Sequence, residues 1–213
     1  MSVSKPSSDD SCVPFASSPF DKVCQLWRAY LLELQHRPVR TKAITSASFA
    51  ALATLIAQWS VGVPKYDFTA VRNQAIIGFI RGPTMHYWME ALNKLFFKLG
   101  YTTPQSQLST EVVIGKMALD QFLFAPLHML YYMRVIGWLE GRPSADVMAK
   151  ISNDFLPVMM MNWKVWPIVS LLNFKLVPPQ LRVLTLNIVG CAWMVYLIKK
   201  LSQAAVAAAK AAK

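Results

Sequence analysis

The side chains with a capacity for chemistry lie inside apolar stretches. His86, Glu90 and Lys94 follow one another at intervals of four, and Lys116 and Asp120 repeat that interval, so each set occupies one face of a helix. Arg81 precedes the first set, Gln121 adjoins the second, and Lys164 stands in a later apolar run. An ionisable group at the centre of a membrane helix costs about 2.5–3.5 kcal/mol, so such groups must turn toward one another or toward water. Two arrangements meet that demand. In the first, Arg81, His86, Glu90, Lys116, Asp120 and Gln121 line a narrow wet path between two helices, with Lys164 near its mouth, and the excess of basic groups favours anionic metabolites. In the second, His86 with Glu90, Glu90 with Lys94 and Lys116 with Asp120 satisfy each other as buried pairs that pin helix register.

Other chemistries find little support. The sequence has no phosphate loop, dinucleotide fingerprint, Gly-x-Ser-x-Gly elbow or zinc motif, so catalysis would rest on the intramembrane acids alone and no enzyme is expected. His36, His86 and His128 lack the spacing of a ligand set, so no metal or cofactor is expected either. Trp163, Trp166 and Phe174, alternating with Lys164 and Pro167, have the composition of a cation–π clamp, but Trp and Lys at headgroup level anchor helix ends, and an interface belt is the preferred reading. Met159, Met160 and Met161 supply adaptable packing.

The elements that hold these groups need a membrane. Of 213 residues 54% are hydrophobic and 15% charged, against about 45–50% and about 25% in soluble domains. The mean hydropathy of +0.34 argues against a water-soluble globule. Three cysteines, Cys12, Cys24 and Cys191, form no disulfide framework. The formal charge of +11 is spread in ones and twos between apolar stretches, which suits loops facing anionic lipid and not nucleic acid.

Along the chain, residues 1–19 read as a polar N-terminal extension, 20–203 as one membrane domain, and 204–213 as an Ala- and Lys-rich tail. Phe20 to Gln35 is an amphipathic, interfacial helix. Ala43 to Val63 has no charge and is long enough to cross a hydrocarbon core of about 30 Å. Helical stretches follow at Val71 to Gly100 and Leu108 to Leu139, the second with a kink expected at Pro126. Ser144 is the expected cap of the next segment, in which Pro157, Lys164 and Pro167 interrupt Phe155 to Phe174. The last span runs uncharged from Val183 to Ile198. The fold class is therefore all-α, an integral membrane helical bundle. Basic clusters before the first span, at Lys94 and Lys98, and at Lys199, Lys200, Lys210 and Lys213 fall on one side with four net crossings, which leaves Phe155 to Phe174 interfacial or re-entrant. A full crossing there makes five.

An ordered series of residues resembles a known family. Trp27-x-x-Tyr30-Leu31, Pro38 with Thr41, Gly82-Pro83-x-x-His86-x-Trp88, and Asp120-Gln121 with Pro126 come first; Trp163-Lys164-x-Trp166-Pro167, Asn173-Phe174, Val177-Pro178, Arg182 and Trp193 complete it. In that order they resemble the Mpv-seventeen and twenty-two-kilodalton peroxisomal membrane protein family. Two positions depart from its pattern: Ala53-Thr54 stands where the family often has Gly-Asp, and Ser170 where it usually has Gln. The resemblance implies a four-span protein of the mitochondrial inner membrane or, alternatively, the peroxisomal membrane. It also implies a proposed channel or regulator of small-metabolite and ion permeability. The alternative is a non-transporting accessory subunit of a large organellar membrane complex. Expected partners are membrane lipids, further copies of the chain or subunits of such a complex.

Overall fold

The computed structural model describes residues 19–101 and 109–211, and these form six helices and no strand: α1 (Pro19–His36), α2 (Pro38–Val61), α3 (Phe68–Lys98), α4 (Thr110–Leu139), α5 (Ser144–Leu176) and α6 (Arg182–Ala211). All but the last residue of the expected N-terminal extension lies outside the described residues, as do Leu108 and Lys213. The Ala-rich tail continues α6 as far as Ala211. The chain is an all-α membrane bundle. By length and apolarity α2, α4 and α5 can each cross a bilayer, while the apolar part of α6, Arg182–Tyr196, is shorter.

Helix α1 lies at the periphery, with Val23 and Leu26 exposed and Leu34 buried. The Thr41 hydroxyl donates to the Glu33 carbonyl at 3.1 Å and the Arg37 carbonyl at 2.9 Å, tying α1 to the start of α2. Helix α2 ends at Gly62, whose φ of 72° is the left-handed conformation that a helix terminus commonly adopts and glycine adopts without strain. Across the turn Gln58 accepts from the Asp67 backbone N–H at 2.7 Å and donates to its carbonyl at 3.1 Å. The Asp67 carboxylate in turn caps α3 by accepting from the Ala70 N–H at 3.0 Å.

The two helices then run in backbone contact. A β-carbon placed on Gly78 would stand 2.6 Å from the Ser46 carbonyl oxygen, and one on Gly82 would stand 2.7 Å from the carbonyl carbon of Lys42. Only glycine admits this approach, and in lipid, where apolar side chains gain nothing by leaving their solvent, such close van der Waals contact is what joins helices. The Gly82-Pro83 pair thus marks a close helix approach, with Pro83 inside an uninterrupted α3.

Two expectations about helix breaks are corrected. Phe155 to Phe174 is not broken: α5 is one helix of 33 residues that continues through Pro157 and Pro167. Ser144 is its first residue and makes no capping bond, the preceding Pro143 holding the cap position. In α4 the irregularity falls ahead of Pro126, as a π turn over Asp120–Phe124. The core gathers Met89 and Leu92 from α3, Val113 from α4, Phe174 from α5 and Leu186 from α6, with Trp88 and Trp166 packed against it.

Candidate functional site: a polar line through the bundle

Gln74, Arg81 and Trp88 are seven residues apart and so share one face of α3, each about 10.5 Å beyond the last. That face points into the bundle and every one of the three finds a partner on another helix. Gln74 donates to the Tyr132 hydroxyl of α4 at 3.0 Å. Arg81 donates through Nη2 to Asn187 Oδ1 of α6 at 2.7 Å, and Asn187 passes a bond from Nδ2 to Ser46 Oγ of α2 at 2.8 Å. Gln74, Arg81, Tyr132 and Asn187, with His128, border a polar cavity of about 70 Å³, large enough for water.

Trp88 opens the larger network. Its indole N–H donates to Asp120 Oδ1 at 2.9 Å, while Asp120 Oδ2 accepts from Ser170 Oγ at 2.7 Å and from Gln121 Nε2 at 3.0 Å. Three helices therefore converge on one buried carboxylate. The π turn makes this hub. Its wider register pairs the Ala125 N–H with the Asp120 carbonyl, so the Gln121 carbonyl would take its donor from position 126, where proline has none. The Trp163 indole supplies the missing bond from α5 at 3.1 Å. Gln121 Oε1, wholly buried, has no hydrogen-bond partner among the described residues, and neither does the side-chain amide of Asn173.

Farther along α3, Asn93 accepts from Lys116 Nζ at 2.9 Å, and the ammonium lies 5.6 Å from the centre of the Phe96 ring. Arg182, fully buried at the start of α6, donates through Nη2 to the Phe174 carbonyl at 3.0 Å and stacks over the Phe174 ring. From Gln74 to Asn93 the line advances about 28 Å, close to the thickness of a hydrocarbon core.

The six residues expected to share one lining separate into two groups. Arg81, Lys116, Asp120 and Gln121 face the interior described above. His86 bonds Lys42 of α2 at 2.9 Å instead of Glu90, and Glu90 pairs with Lys94 at 2.9 Å on an exposed face. The expected pairing of Lys116 with Asp120 is replaced by bonds across helices, because each reaches a partner on a neighbouring element instead of along α4. Lys164 is exposed beside a cleft between α5 and α6. The interface-belt reading is also revised: Phe174 is a core residue, Trp166 packs on the core and Trp163 is committed to α4. Sequence spacing missed Ser46, Gln74, Asn93, Tyr132 and Asn187. The interval of seven through Gln74, Arg81 and Trp88 was the signal available for the α3 side of that line.

The Mpv17 / PMP22 family model matches residues 137–198. PXMP2/4 family protein 3 of Dictyostelium discoideum is 35% identical over 168 residues, 79% of this chain and 86% of that protein. Peroxisomal membrane protein 2 of Bos taurus is 32% identical over 179 residues, covering 79% and 85% respectively. Protein SYM1 of Saccharomyces cerevisiae is 31% identical over 185 residues, covering 84% and 91%. No solved structure matches. With an all-helical bundle, the ordered motif residues and relatives aligned over most of both chains, this protein belongs to the Mpv17 / PMP22 family of membrane proteins.

Proposed function

We propose that the protein is a non-enzymatic regulator of membrane permeability to small anionic solutes, and that the structure is its closed form. The membrane we assign is mitochondrial, following the resemblance, or peroxisomal, following the name of the bovine relative. One observation carries the reading: the interior line holds Arg81, Lys116 and Arg182 against the single carboxylate of Asp120. Cations held in a low-dielectric interior with too few acids raise the local concentration of anions. A space of about 70 Å³ admits no metabolite, so passage requires α3, α4 and α5 to separate at the Asp120 hub.

Reconstitution into liposomes tests this. Purified protein should carry small anions in preference to cations of similar size, and Lys116→Gln should lower that preference severalfold while helical content is kept. Glu90→Gln, on the exposed face, should leave it unchanged. Vesicles no more permeable with protein than without, combined with co-migration at fixed stoichiometry with a respiratory complex, would overturn the proposal in favour of an accessory subunit.

A further inference from the structure

The bundle is not equally closed on all sides. Between the middle of α5 and the first half of α6 lies a cleft of about 810 Å³, within the range of about 300–1,000 Å³ typical of ligand sites. Its wall is apolar, with Leu156 and Met160 from α5 facing Val189, Trp193 and Tyr196 from α6, and the one charged group in it is Lys164. From Phe155 to Phe174 the helix carries no other charge, so Lys164 stands near the middle of a 20-residue apolar run. Such a run is about 30 Å long, which sets the ammonium about 14 Å from either end and at midplane depth. It is exposed, and among the described residues it makes no ion pair and no hydrogen bond to a side chain. The other cations of the apolar segments behave differently: Arg81, Lys116 and Arg182 each have a protein acceptor.

An unpartnered ammonium in an apolar cleft at this depth is complementary to an anion that brings its own apolar body. A phospholipid headgroup stays at the interface and does not descend to the midplane. A second copy of the chain, joined symmetrically through this cleft, would bring two Lys164 ammonium groups toward each other. A single-chain fatty acid reaches that depth as the neutral acid, which a phosphodiester cannot do, and loses its proton there only against Lys164, while the flexible Met160 side chain suits an acyl chain without fixed shape. We propose that the α5–α6 cleft binds a long-chain fatty acid anion, with its carboxylate on Lys164 and its chain between the two helices. The site is separate from the polar line, so its occupancy does not depend on the permeability reading.

The test uses the full chain in phosphatidylcholine nanodiscs with a diazirine-bearing palmitate, alongside the matching fatty alcohol and a diazirine-bearing phosphatidic acid. Palmitate should label peptides of α5 and α6, with the alcohol labelling at least fivefold less. Lys164→Gln should reduce palmitate labelling at least fivefold and Lys164→Arg should retain most of it. Ala192→Phe, which adds bulk to the cleft wall and leaves Lys164 in place, should also abolish labelling and guards against misfolding of the Lys164→Gln variant. Equal labelling by acid and alcohol, labelling unmoved by Ala192→Phe, or stronger labelling of the same peptides by phosphatidic acid would overturn the proposal.

Discussion

The α2–α3 seam and the α5–α6 cleft belong to one bundle and draw on the same apolar residue types, yet their backbones approach very differently. At the seam Gly78 and Gly82 allow α3 to touch the main chain of α2 at Ser46, Ala47 and Ala43. On the other side, bulky Leu156, Met160 and Trp193 hold α5 and α6 apart around an open space. In water, hydrophobic side chains would collapse that space, but in lipid the acyl chains solvate it and only shape decides whether helices close. Small residues thus fix the rigid side, and large ones leave a side that can admit a guest.

Adding one methyl group to the seam is the severest way to break this contrast. Gly82→Ala places a β-carbon in contact with the backbone of Lys42 and Ala43, atoms that cannot rotate away, so the helices must separate. The expected loss is about 3 kcal/mol or more, well above the common effect of a point substitution, read as a lowered midpoint of unfolding in detergent. An unchanged midpoint would show that the seam is looser than the geometry states. The Asp120 hub comes next. Asp120→Ala leaves the Trp88 indole, the Ser170 hydroxyl and the Gln121 amide without their shared acceptor, and should cost about 2–3 kcal/mol by the same measurement. If the cost is under half of that, water replaces the carboxylate and the hub is already wet.

How much of this was legible in the residues depends on whether a feature is local. Uncharged runs such as Ala43 to Val63 announce their helix because a span needs only length and apolarity, and the motif order identified the family. Pairing across helices was not legible. An interval of four predicts that Lys116 meets Asp120, but nothing in that interval says that Asn93 and Trp88 on α3 offer partners instead. The unbroken α5 was hidden for a related reason: Pro157 and Pro167 each remove a backbone bond, which breaks a helix in water, whereas packing against neighbours holds the helix together in a bundle. The π turn was half visible. Pro126 predicted an irregularity, and only the position of Trp163 explains why the wide turn leaves no carbonyl unserved.

The smallest effect is the most discriminating, because it applies the seam's substitution to a loosely packed glycine on the wall of the small interior cavity. Gly190 lies on α6, where a β-carbon would meet only the Trp166 ring at 3.8 Å and the Arg81 guanidinium at 3.9 Å, both ordinary van der Waals contacts. Gly190→Ala therefore adds contact without displacement and removes the conformational freedom that glycine gives the unfolded chain. Both effects favour the folded state, by about 0.4–1 kcal/mol together. A small rise in the unfolding midpoint is expected, opposite in sign to the fall produced by the identical change at Gly82. If Gly190→Ala lowers the midpoint instead, α6 sits closer to α3 and α5 than these distances allow, and the contrast between the tight glycines of the seam and the roomy one on α6 disappears.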